Sequence, residues 1–317
     1  MIEPVRRIWL HIGAAKAGST TLQAALRRDR ADLARLGILH PEALSEAGRR
    51  YLLPAYLMGE AVRPYLVGEL GVLSGETFDC LPTIFPGLWH QEVAAKEEPV
   101  VILSAEHLTR ALLVEGASAR MRQLLDLLPH GVEVRCLYVT RPLAERVRSA
   151  YGQRIMGGRA GRLTPAEFAG EALSNGQFDV ARQLGHWEEL LGQEAIDILP
   201  LSSDLVGQTY RLLGVPEGRA LLSLDMPARN RGAPLRMIEA RRRANALPRF
   251  LRRPATRILT PLVGRREATL AAELDAAVQR IVERHGVSEA ETLARFANRS
   301  PSPEPAAFPP RKDPGAV

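Results

Sequence analysis

Short apolar runs of strand length alternate with amphipathic stretches of helix length along most of this chain, and that alternation leaves few folds open. The run "VRRIWLHI" reads as a buried strand. "STTLQAALRRDRADLARLG" reads as one helix with Leu22, Leu26, Leu33 and Leu36 on its inner side and Gly37 closing it. The strand "PVVILS", the helix "SARMRQLLDLL", the strand "VEVRCLYVT" and the helix "LAERVRSAYGQRI" follow, and later the helix "FDVARQLGHWEELLG", the strand "AIDILPL" and the helix "SDLVGQTYRLLG". Strands separated by helices pair in parallel through crossovers, so the pattern predicts an α/β fold whose ligands bind at the carboxyl ends of the strands. At 317 residues one domain over 1–299 is expected, with 41–98 as an irregular insertion rich in Gly and Pro and 300–317 as a disordered proline-rich tail.

No apolar run approaches the roughly 18 residues a membrane span needs. The N-terminal "IWLHIGAA" is interrupted by His11 and followed at once by Lys16, which reads as strand and loop and not as a signal peptide. Cys80 and Cys136 lie far apart, and Cys136 sits inside a strand-like run, so a reducing, cytoplasmic setting is expected. The net charge of +6 is local: residues 228–266 carry a dozen arginines against the single acid Glu239. That segment reads either as a solvated helix face or as a site for an anionic ligand, a peripheral membrane contact or a polysaccharide. No nucleic-acid partner is expected.

The densest chemistry lies in "HIGAAKAGSTTLQAAL", residues 11–26. A strand, Gly13, a turn through Lys16 and Gly18, and a helix starting near Ser19 place unpaired backbone N–H groups around one concavity at a positive helix end. That arrangement suits a phosphate, with Lys16 as a point charge and the hydroxyls of Ser19, Thr20 and Thr21 as further donors. In a Walker A loop, GxxxxGK[ST], lysine directly follows the second glycine. Here Lys16 precedes Gly18, and no strand ends in an aspartate placed for magnesium, which weakens a magnesium-dependent kinase.

"KAGSTT" resembles the 5′-phosphosulfate loop of the sulfotransferases that use 3′-phosphoadenosine 5′-phosphosulfate (PAPS). "RPLAERVRSAY", residues 141–151, resembles that family's 3′-phosphate element, an arginine at a strand end with a serine eight positions later, here Arg141 and Ser149. With "GQFDVARQLGHW", the likeness is closest to the branch holding carbohydrate (heparan-type) enzymes and many bacterial homologues. The resemblance implies a P-loop-type parallel sheet flanked by helices with a helical C-terminal part, a PAPS cosubstrate, no metal, and an acceptor left open among glycans, lipid-linked sugars and small metabolites. Pro142 directly follows Arg141 where the family more often has it one place later, and Thr21 stands where some branches have an aromatic.

The residues alone make Arg141 either an anion fork at the carboxyl edge of the sheet or a surface ion pair with Glu145. In "SAEHL" Glu106 and His107 are adjacent beyond a strand, where the resemblance puts the group that takes the acceptor's proton. Neighbours leaving a strand point to different sides, so one of the two faces the reaction, with Glu106 favoured as base and His107 as structural or acceptor-binding. "ARNRGAPL" looks like the family's late basic loop, with Arg231 and Gly232 over the nucleotide or else in a solvated loop. The competing functions are a P-loop nucleotide kinase and a non-catalytic anion-binding protein.

Overall fold

The computed structural model describes residues 6–13, 17–45, 49–105, 107–157, 162–217, 221 and 233–297. In chain order the elements are β1 (Arg7–His11), α1 (Ser19–Arg28), α2 (Arg30–Arg35), β2 (Ile38–Leu39), α3 (Glu42–Ser45), α4 (Leu52–Met58) and α5 (Gly75–Trp89). Next come β3 (Val100–Ser104), α6 (Leu108–Ala111), α7 (Ala117–Asp126), β4 (Glu133–Thr140), α8 (Leu143–Met156), α9 (Pro165–Ser174) and α10 (Val180–Leu191). β5 (Ile196–Pro200), α11 (Leu205–Leu212), α12 (Leu235–Ala244), α13 (Arg249–Leu259) and α14 (Gly264–Ala297) follow among the described residues.

The strands form one parallel sheet in the order β2-β3-β1-β4-β5. The first strand is therefore central, and its carboxyl end lies between those of β3 and β4, the switch point at which such sheets bind ligands. The alternation had predicted this α/β architecture and four of the five strands; the two-residue β2 is too short to leave a periodic signal.

Two compact units partition the chain: residues 1–140, 183–229 and 295–317, and residues 141–182 and 230–294. The first holds the sheet. Ile8, Leu10, Val101, Ile102, Leu137 and Val139 are wholly buried in it, as parallel strands covered on both faces must be. The indoles of Trp89 and Trp187 donate to the carbonyls of Leu124 and Leu108, which satisfies the only polar atom on each buried ring. In the second unit α8, α9, α12 and α14 enclose an apolar core that includes Val147, Tyr151, Phe168, Phe178, Ile238 and Ile281.

Two expectations change. The helix expected over 19–37 is broken at Asp29, which is fully buried and accepts a hydrogen bond from the Tyr210 hydroxyl at 2.8 Å, so a tertiary partner interrupts a continuous helical pattern. The segment 41–98, expected to be irregular, is mostly helical, with α5 holding Pro82 and Pro86 in its interior. Packing overrides the propensity there: Phe78, Leu81, Phe85 and Trp89 recur at helical spacing and are buried. The tail expected at 300–317 lies outside the described residues.

Candidate functional site

The site begins where β1 gives way to α1. Gly18 takes the left-handed conformation, φ 88°, and forms the N-cap of α1 without a side-chain cap. Thr21 and Leu22 donate to the Gly18 carbonyl at 2.9 and 3.2 Å, so the amides of Ser19 and Thr20 ahead of them have no helical acceptor among the described residues. The Ser19 hydroxyl is buried beside them and has no hydrogen-bond partner among those residues. Nothing among the described residues fills the valence of this buried hydroxyl, and its setting beside two amides at a helix N-terminus suits an anion chemically. Thr20 is exposed and Thr21 half-buried.

Both glycines have close neighbours where a side chain would go. A Cβ at Gly18 would fall 2.6 Å from Leu201 Cδ1 and 2.9 Å from Leu205 Cδ2, and one at Gly13 would fall 2.6 Å from His11 Nε2. Gly18→Ala should therefore cost roughly 1–3 kcal/mol, the sum of a left-handed penalty and overpacking against two leucines. Urea unfolding measures it, and a loss of only a few tenths would mean that the loop relaxes.

The loop is tied to the end of β3. His11 is fully buried, its Nδ1 lies 2.6 Å from Ser104 Oγ, and burial lowers its pKa to about 4, so it is a neutral imidazole under the loop. Gln23 Nε2 donates to the Ser104 carbonyl at 3.2 Å, and Thr109 Oγ1 donates to the Gly13 carbonyl at 2.5 Å. Ser104, the first residue of "SAEHL", thus holds His11 and Gln23, and Thr109, just past it, holds Gly13. Gly13, on the strand side of the expected phosphate loop, is thereby joined to Thr109, just past the expected catalytic turn.

His107 opens α6 as its N-cap. Its ring lies 5.5 Å from that of Tyr51 and 5.6 Å from that of Tyr65, the latter edge-on, so two aromatic residues of the 41–98 segment flank it. Arg50 donates to Gln23 Oε1 and to the Tyr51 hydroxyl, both at 3.2 Å, and its guanidinium lies 5.1 Å from the Tyr51 ring centroid. Burial first, and then the charges of Arg110 and Arg50, hold the His107 pKa down to about 4.

Arg141 and Ser149 belong to the second unit. Pro142 is the N-cap of α8, as the sequence predicts. Arg141 precedes α8, its Nε 2.7 Å from Oε2 of Glu145 in the first turn of that helix, and Ser149, a turn further along, is half-buried. The ion pair weighed against an anion fork is thus present, and it engages Nε alone among the described residues. The Arg141 carbonyl accepts from Arg146 Nε at 3.0 Å, and Arg146 is a buried residue that the sequence reading passed over.

Lys16, Glu106, Arg231 and Gly232 lie outside the described residues. His11, Ser104 and Thr109, which position the loop, were not singled out from the sequence. His11 left a trace as the lone polar residue interrupting an apolar strand, whereas Tyr51 and Tyr65 reach His107 only through tertiary structure and left none.

No family model matches the chain, and no curated protein matches it. Among solved structures, that of a sulfotransferase from Alicyclobacillus acidocaldarius is similar to it at 16% identity and a TM-score of 0.44, covering 87% of this chain and 99% of that one.

Proposed function

We propose that this chain is a sulfotransferase that moves a sulfuryl group from PAPS to a hydroxyl or amine, with a carbohydrate or glycolipid as the acceptor class. The observation that supports it most is the start of α1: Ser19 and Thr20 amides and a buried Ser19 hydroxyl with no partner among the described residues, beside a left-handed Gly18. These groups fit the 5′-phosphosulfate end of the nucleotide, and Lys16, with Thr20 and Thr21, adds donors as negative charge grows on the departing phosphate. Arg141 and Ser149 take the 3′-phosphate, on the likeness of "RPLAERVRSAY", and Arg231 and Gly232 close over it.

In-line displacement forms a bond from the acceptor oxygen or nitrogen to sulfur as the bond from sulfur to the phosphate oxygen breaks. Glu106 receives the acceptor's proton, and adenosine 3′,5′-bisphosphate leaves. His107, neutral and flanked by Tyr51 and Tyr65, is suited to orient the acceptor: the aromatic faces can stack on a sugar ring while the imidazole and Arg50 hydrogen-bond its hydroxyls.

Thermal shift with nucleotides tests this reading. Adenosine 3′,5′-bisphosphate should raise the melting temperature well beyond 5′-AMP without added metal, and Arg141→Ala should erase the difference, at about 1.5–3 kcal/mol for a charge-assisted contact. Equal shifts for the two nucleotides would remove the 3′-phosphate site. A preference for ATP or ADP that depends on magnesium would point to the kinase reading.

A further inference from the structure

The arginine-rich segment becomes specific once its exposure is known. Of the eight large apolar side chains exposed among the described residues, five fall between 247 and 262: Leu247, Phe250, Leu251, Ile258 and Leu262. Phe250 is 77% exposed, Leu262 73% and Ile258 66%. Phe250, Leu251, Ile258 and Leu262, with Pro254 and Pro261, also exposed, share one face of α13 and the short 3₁₀ turn (Thr260–Val263) that prolongs it. The opposite face carries Thr256 and Val263, both buried, and packs on α12.

Arg253 and Arg257, both exposed, border the apolar face on one side. Arg241 lies close enough to Arg252 and Arg253 for their charges to lower its pKa, behind the leading effect of its own burial, so the cationic field is continuous with α12. Arg242 and Arg243, by contrast, are both committed to the buried carboxylate of Glu239 at 2.8 Å and contribute little outward charge.

A solvated helix face does not present phenylalanine, isoleucine and leucine in a row. A polysaccharide would use the arginines and leave these side chains in water. A second copy laid on the same face would bring the two arginine borders together. An anionic lipid surface uses both features at once, since apolar side chains enter the headgroup boundary while the guanidinium groups meet phosphate. No described helix is long and apolar enough to cross a membrane, so the contact is one that lies on the surface.

We propose that α13 and the turn after it form a peripheral docking face for membranes rich in anionic phospholipid, with Phe250, Ile258 and Leu262 inserting and Arg253 and Arg257 pairing with lipid phosphate.

Co-sedimentation of the full chain with phosphatidylcholine vesicles, with and without phosphatidylserine, tests it at low and at physiological salt. The chain should bind the phosphatidylserine vesicles and leave the neutral ones mostly free, with binding that weakens as salt rises. The joint change Phe250→Gln, Ile258→Gln, Leu262→Gln should lower partitioning by about tenfold or more. Arg253→Gln with Arg257→Gln should lower it to a similar degree. All these positions are exposed, so the melting temperature and the nucleotide shift should stay unchanged in both variants. Failure of the unaltered chain to bind phosphatidylserine vesicles, or undiminished binding by the triple variant, would overturn the proposal. So would a dimer in sedimentation velocity that the triple variant turns into monomer while vesicle binding persists.

Discussion

Arg146→Met should lower stability by about 3–5 kcal/mol at neutral pH, because it leaves a buried carboxylate without its cation. Arg146 is 1% exposed, and its guanidinium donates to the Glu289 carboxylate, which is 4% exposed. The same group holds the Arg141 carbonyl and lies 5.9 Å from the Phe178 ring centroid. Burial already raises the Glu289 pKa, with Arg146 opposing that rise, so removing Arg146 raises it further. A carboxyl whose pKa is raised on folding favours the fold most at low pH, and that contribution is lost as pH climbs through the folded-state value. The deficit of the variant should therefore be smaller at mildly acid than at neutral pH. Adding Glu289→Leu should recover most of the loss, since an apolar pair of similar volume can replace a buried ion pair at little cost. Urea unfolding of the four proteins in a double-mutant cycle reads this directly. A single-variant loss below about 1 kcal/mol, or a double variant no better than the single, would show that the pair does not act as a unit.

Arg146 also shows where the sequence stops being legible. Its motif stood out for Arg141 and Ser149, a strand-end arginine and a serine eight positions later on the next helix, a relation local to the chain. The importance of Arg146 depends on Glu289, 143 residues away, and no local pattern carries such a pairing. The same division runs through the site. Gly13, Gly18 and Ser19 were readable because a strand, a tight turn and a helix start dictate a geometry among neighbours in sequence. His11 with Ser104 and Thr109 with Gly13 were not, since these bonds join segments, more than 90 residues apart in sequence, that meet only once the parallel sheet forms. The 41–98 segment misled for a related reason. Its prolines and glycines weaken helix propensity, yet Phe78, Phe85 and Trp89 supply enough buried apolar surface to hold α5.

Glu106→Gln should lower turnover by roughly a hundredfold or more while leaving the shift caused by adenosine 3′,5′-bisphosphate intact, as loss of a general base without loss of nucleotide contacts requires. His107→Asn should keep kcat within about tenfold and act mainly on KM for the acceptor. The ranking follows from charge. A proton arriving on the half-buried His107 would be poorly solvated and have the guanidinium charges of Arg50 and Arg110 nearby, and the pKa of about 4 expresses that penalty. The imidazole therefore stays neutral from physiological pH down to about 4 and protonates only below, so its contribution to acceptor binding should be flat across that range and fail beneath it. Between Tyr51 and Tyr65 it has the setting of a hydrogen-bonding wall for a ring-shaped acceptor. Steady-state kinetics of both variants across pH, with melting temperatures to confirm folding, separate the roles. A His107→Asn enzyme that loses kcat by a hundredfold while Glu106→Gln keeps it would transfer the base to His107, and with it the task of carrying a proton in a cationic pocket.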